Sequence, residues 1–127
     1  MKRIGLLILT ILWILTGCGG TTMKKNTYQQ ITQEQAKEMM DTQEVIVLDV
    51  REQDEFDAGH ILGAVLLPVG TITADTAASV IPDKDAVVLV YCRSGNRSKT
   101  ASQTLADLDY TAVYEFGGIN TWSYEIE

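Results

Sequence analysis

A cysteine at the end of an apolar run, followed at once by a basic loop, is where this sequence concentrates its reactive chemistry. The stretch reads Ala86-Val87-Val88-Leu89-Val90-Tyr91-Cys92-Arg93-Ser94-Gly95-Asn96-Arg97-Ser98-Lys99. Its opening residues are apolar without a break, rich in Val and short for a helix, which predicts a strand buried on both faces of a parallel sheet. Ala101, Leu105 and Leu108 recur at helical spacing beyond the loop, so an amphipathic helix follows. The unpaired N–H groups and dipole of a helix start favour an anion in such a loop. Arg93 and Arg97 act in the same direction on Cys92. Surroundings of this kind lower a thiol's pKa from roughly 8.5 into the range of about 3.5–7.5, which makes it a nucleophile. Between Cys92 and Asp107 lie Arg93, Arg97 and Lys99 and no acid, although the chain has 17 acids against ten Lys and Arg. That local reversal of charge suits an anionic substrate. The alternative is a buried structural cysteine followed by a solvated charged turn.

The elements needed to position this loop can be read around it. Residues 45–50 form a second buried-strand run, ending on Asp49 and Val50 with Arg51 just beyond. Strand ends at this edge of an open α/β sheet surround the ligand site, so Asp49 and Arg51 are candidates for supporting roles, as an ion pair or by orienting loop amides. Tyr28-Gln29-Gln30-Ile31 reads as a brief edge strand. Thr32 with Gln35 fits a capping box for a helix whose apolar stripe is Ala36, Met39 and Met40. Residues 52–57 read as a short acidic helix, 65–67 as a third strand, 71–81 as a helix ended by Pro82, and 110–116 as the last strand. Gly117-Gly118 reads as a tight turn toward Trp122, an indole expected to close the core. Strands alternating with helices predict one α/β domain with a mostly parallel sheet.

Four stretches together resemble the rhodanese-like family. They are Leu48-Asp49-Val50-Arg51-Glu52, Gly59-His60-Ile61 with Gly63-Ala64, Tyr91-Cys92-Arg93-Ser94-Gly95-Asn96-Arg97-Ser98, and Gly117-Gly118-Ile119 with Trp122, in the family's order. The resemblance implies a rhodanese-like fold over residues 29–125, a five-stranded parallel sheet with helices on both faces. It also implies a sulfurtransferase that moves a sulfane sulfur from thiosulfate, or a similar small anionic donor, to a thiol or protein acceptor. Cys92 would be the nucleophile and carry the sulfur as a persulfide. The loop of Arg93, Ser94, Gly95, Asn96 and Arg97 would bind the anion through its amides, with Arg97 and then Arg93 holding the donor.

Two other readings compete. A Cys-loop-Arg cradle also binds phosphate or arsenate, but related cysteine phosphatases place their Arg one residue further on. A smaller ring of amides suits a single sulfur atom better. The second is a membrane-tethered module that holds a persulfide or oxidised sulfur, or binds a partner, without turnover. His60 is the only histidine, so no histidine-based metal cluster exists, and no metal-ligand spacing or nucleotide-binding glycine motif is present. No cofactor and no metal are expected, and His60 is read as structural.

The chain opens with Met1-Lys2-Arg3 and an apolar segment over residues 4–15, the pattern of a secretory signal too short to span a bilayer. Leu15-Thr16-Gly17-Cys18 resembles the lipobox of bacterial lipoproteins, which implies cleavage before Cys18 and lipidation of its thiol. On this reading residues 1–17 are a lipoprotein signal peptide, and residues 18–28 are a lipidated N-terminus and tether. The domain is then lipid-anchored to a bacterial membrane on its extracytoplasmic side. Removing 17 of the 127 residues leaves 110, and the loss of Lys2 and Arg3 takes the formal charge from −7 to −9. So acidic a chain is not expected to bind nucleic acid, and it would not adhere to anionic lipid by charge.

Overall fold

The computed structural model describes residues 26–127. The readings on residues 1–17, on Cys18 and on most of the tether lie outside the described residues. Five strands form one sheet in the order β1-β5-β4-β2-β3, all parallel: β1 Gln29–Gln30, β2 Ile46–Asp49, β3 Val65–Leu66, β4 Val87–Cys92 and β5 Ala112–Gly118. The helices are α1 Gln33–Thr42, α2 Gln53–Ala58, α3 Ala74–Val80 and α4 Asn96–Asp107. The expected fold class holds: an α/β five-stranded parallel sheet covered on both faces.

Strand alternation divides the core between those faces. Leu48, Val88, Val90 and Cys92 pack with Ala77 of α3 and Ala101 and Leu105 of α4. Val47, Leu89 and Tyr91 pack on the other face with Ala36 of α1, and with Phe56 of α2 and Trp122 at its margin. Central β4 is therefore buried on both sides, which explains why its sequence has no polar alternation.

Several boundaries differ from the sequence reading, and each difference has a local cause. Thr32 caps α1 as expected, its Oγ1 accepting from Gln35 N at 3.0 Å while Gln35 Oε1 accepts from Thr32 N at 2.9 Å. The helix anticipated over 71–81 starts later, because Val69–Thr71 form a 3-10 turn and Thr73 caps α3 by accepting from Thr76 N at 3.2 Å. The last strand begins at Ala112 rather than at residue 110. Asp109 takes a left-handed turn at φ 72°, and Tyr110 drops into the core with its hydroxyl donating to Ile81 O at 2.7 Å. Gly117 and Gly118, read as a tight turn, instead complete β5. The pairing of β4 with β5 shifts register between Val90 and Cys92, and this brings Gly118 opposite Cys92.

Candidate active site

β4 delivers Cys92 to the carboxyl edge of the sheet, and the chain then turns through Arg93, Ser94 and Gly95 into α4. Gly95 makes the turn possible. Its φ of +107° lies in the left-handed region, where a side chain is strained, and it serves as N-cap of α4. In this conformation the Gly95 amide points back at the thiol, donating to Cys92 Sγ at 3.0 Å. The Ser98 hydroxyl oxygen stands 3.4 Å from the same sulfur. Cys92 is 1% exposed, so the sulfur is covered by the loop that it anchors. Burial pushes its pKa up. The Ser98 hydroxyl and the amides of Ser98, Gly95 and Ser94 pull harder the other way, and the thiol rests below the ordinary cysteine value.

The anticipated loop residues divide by position. Gly95 is buried against the sulfur, whereas the side chains of Arg93, Ser94 and Asn96 are exposed. The Arg93 carbonyl accepts from Asn120 N at 3.2 Å, tying the loop to the segment after β5. Arg97 does not point into an open cradle. Its guanidinium grips Glu55 of α2 through two bonds, Nη1 to Oε1 at 2.7 Å and Nη2 to Oε2 at 3.0 Å. That pairing holds the Glu55 carboxyl at about 2, far below its usual range. Arg97 still feels the field of Cys92. Beside the loop lies an open depression of about 430 Å³, lined in part by Gln33, Ser94, Gly95, Lys99 and Glu115.

Asp49 and Arg51 sit one strand away as a fully buried pair. Arg51 Nη2 donates to Asp49 Oδ2 at 2.7 Å and to Gly59 O at 2.7 Å, and Arg51 Nε donates to Asp49 Oδ1 at 3.0 Å. Tyr91, the residue before Cys92, donates its hydroxyl to Asp49 Oδ2 at 2.6 Å and accepts from Ile61 N at 3.0 Å. The network ties β2, β4 and the turn after α2 together beneath the loop. Both nitrogens of His60 are engaged, Nδ1 with Phe56 O at 2.9 Å and Nε2 with Glu127 Oε1 at 3.1 Å, and its ring stacks on Phe56. These contacts leave it no role as a base for Cys92. Among the described residues no group of three or more His, Cys, Asp or Glu is placed to hold a metal.

Two site residues escaped the sequence reading. Ser98 has no assigned role in the motif as read from sequence, yet its hydroxyl is the side-chain group nearest the sulfur among the hydrogen-bond partners of Cys92. Glu115 of β5 is 3% exposed, and its Oε1 accepts from Ser98 Oγ at 2.7 Å and from Gly117 N at 2.9 Å. The available signal was an acid in the middle of an otherwise apolar and aromatic strand, Val113-Tyr114-Glu115-Phe116.

Comparison with known proteins identifies the family to which this fold belongs. The family model of the rhodanese-like domain matches residues 32–125. Thiosulfate sulfurtransferase GlpE of Coxiella burnetii is 32% identical over 96 residues, covering 75% of this chain and 87% of the relative. Thiosulfate sulfurtransferase PspE of Escherichia coli is 33% identical over 72 residues, covering 57% and 68% respectively. Among solved structures, a rhodanese with anions from E. coli superposes with a TM-score of 0.62 at 28% identity, over 66% of this chain and 98% of that one. With its parallel sheet, its cysteine at the mouth of the central strand and these matches across the folded part, the chain belongs to the rhodanese-like family.

Proposed function

We propose that this chain is a rhodanese-type sulfurtransferase working through a persulfide on Cys92. The observation that carries the reading is the Gly95 amide donating to Cys92 Sγ at 3.0 Å, at the start of α4 and under a basic loop. Two of the relatives above are named thiosulfate sulfurtransferases, which supports the same chemistry. In the first step the Cys92 thiolate attacks the outer sulfur of thiosulfate. An S–S bond forms to Cys92 while the donor's S–S bond breaks, and its electron pair leaves with sulfite. The total charge is unchanged, with one negative charge now on the persulfide. In the second step an acceptor thiolate or cyanide attacks that outer sulfur and returns Cys92 as thiolate, giving ping-pong kinetics. Loop amides stabilise the anion at each stage. Arg97 receives the donor by exchanging its Glu55 partner for the donor's oxygens.

Intact-mass spectrometry after incubation with thiosulfate tests the proposal. One added sulfur mapping to Cys92, absent from Cys92→Ser, is expected, and an unmodified wild-type chain would overturn it. The burial of the thiol and the engagement of Arg97 by Glu55 favour one further reading, a module that holds the persulfide without passing it on. A stable persulfide that neither cyanide nor thiols discharge would select it. In the same proposal residues 1–17 are removed, Cys18 carries lipid, and the domain faces away from the cytoplasm. The support for that anchoring is the sequence Leu15-Thr16-Gly17-Cys18 after its apolar segment.

A further inference from the structure

We infer that Glu115 serves as the proton acceptor for the Cys92 thiol, acting through the Ser98 hydroxyl. The inference rests on the nucleophilic role given to Cys92 above and adds the place where its proton goes.

Three groups stand in line. Cys92 Sγ is 3.4 Å from Ser98 Oγ, which is 2.7 Å from Glu115 Oε1. Ser98 is fully buried and Glu115 is 3% exposed, so the shortest path for the thiol proton runs through these two side chains. A serine hydroxyl has one hydrogen. The short bond to Glu115 claims it, and the neutral thiol then donates its own hydrogen to Ser98 Oγ. The donors thus run in one direction, from thiol to serine to carboxylate. Nucleophile formation moves each hydrogen one place along. The S–H bond breaks as a new O–H bond forms on Ser98, the original Ser98 O–H bond breaks as one forms on Glu115 Oε1, and the hydroxyl now donates to the thiolate. Before and after, the buried cluster carries a single negative charge.

Charge explains why the transfer is favoured over loss of the proton to water. A thiolate and a carboxylate both ionised in this buried space would repel. Among the described residues no cation pairs with Glu115. Its other partners are the Gly117 amide and the side-chain amide of Gln30 from β1, which donates to Oε2 at 3.3 Å. From α4, Arg97 acts on Cys92 but is locked to Glu55 of α2, and Lys99 is exposed on the lining of the open depression that Glu115 also borders. From β2, Asp49 and Arg51 neutralise each other. A dianionic donor approaching this site therefore meets one negative charge rather than two.

Two coupled groups that share a proton titrate as a pair. Alkylation of Cys92 by iodoacetamide in the full chain, followed on the Cys92 peptide so that Cys18 does not contribute, reads this from about pH 4 to about pH 10. Wild type is expected to rise in two steps. The first follows the loss of the cluster's first proton, the rate is then level through neutrality, and the second follows the loss of the remaining proton at alkaline pH. Glu115→Gln is expected to show a single step, with the rate falling about tenfold per pH unit below the thiol's own ionisation. Ser98→Ala should likewise collapse to one step, and Ser98→Thr, which keeps the hydroxyl, should restore two. One step in wild type superimposable on Glu115→Gln, or two steps surviving in Glu115→Gln, would overturn the relay. Should Glu115→Gln not fold, the serine pair decides, because identical profiles for Ser98→Ala and Ser98→Thr would sink it equally. The readout needs no sulfur donor. A two-step profile in a chain that forms no persulfide keeps the relay and removes the sulfurtransferase reading, and the reverse result does the opposite.

Discussion

Arg97 and Glu55 meet through two parallel bonds, one side chain from each of two helices. In the resting protein the pair fastens α2 to the start of α4. The carboxyl is held at about 2 against 4.5 for a free glutamate, chiefly by its hydrogen bond from Arg97. Because the folded value lies below the unfolded one, the pair contributes stability above about pH 4.5, and that contribution disappears as pH falls toward 2. The two side chains are 33% and 26% exposed, so water screens them and the contribution is about 1 kcal/mol. Urea unfolding of Glu55→Gln should therefore show a deficit of that size at neutral pH, absent near pH 2. The same substitution frees Arg97. If Arg97 holds the sulfur donor, the KM for thiosulfate should fall severalfold with kcat little changed. An unchanged KM would show that the donor sits elsewhere in the loop.

Between elements, β4 and β5 are where the sequence reading was strongest and weakest. The unbroken apolar run of β4 announces a central strand, and Arg93 to Ser98 announce a loop feeding a helix. That much follows from local composition. The register of β4 against β5 does not, since it depends on how two strands distant in sequence align: it pairs Val90 with Glu115, and its shift beyond that pair sets Gly118 opposite Cys92. The partner of Arg97, 42 residues away, is equally invisible in the linear sequence. Gly118 shows the cost of that close alignment. A Cβ there would stand 2.0 Å from Arg93 O, against backbone that cannot swing aside. Gly118→Ala should destabilise the domain by about 3 kcal/mol, and the displaced loop should slow alkylation of Cys92. A urea midpoint within error of wild type would contradict the packing described. Asp49 makes a comparable link between β2 and β4 and was legible only as a candidate supporting residue. Asp49→Asn leaves the buried Arg51 guanidinium without its counter-charge, at a cost of about 3–5 kcal/mol. Equilibrium denaturation measures that loss directly, and Arg51→Met in the same background should recover part of it.

At the scale of the folded domain, two cores lie on opposite faces of one sheet, with apolar residues of β2 and β4 in both. Among the described residues no helix is long and apolar enough to cross a membrane. Residues 18–127 carry a formal charge of −9, so anionic headgroups repel them. Membrane attachment in the proposal therefore comes from acyl chains on Cys18, two or more of which hold a protein stably where one does not. This makes fractionation a clean test. Wild type should sediment with membranes and resist both high salt and alkaline extraction, since neither disturbs burial of hydrocarbon. Cys18→Ser should pass to the soluble fraction while keeping persulfide formation at Cys92, because residue 18 lies outside the family match over residues 32–125. Wild type released by salt would show a charge-held peripheral protein instead. Cys18→Ser still in the pellet would show that the apolar segment over residues 4–15 is retained as the anchor.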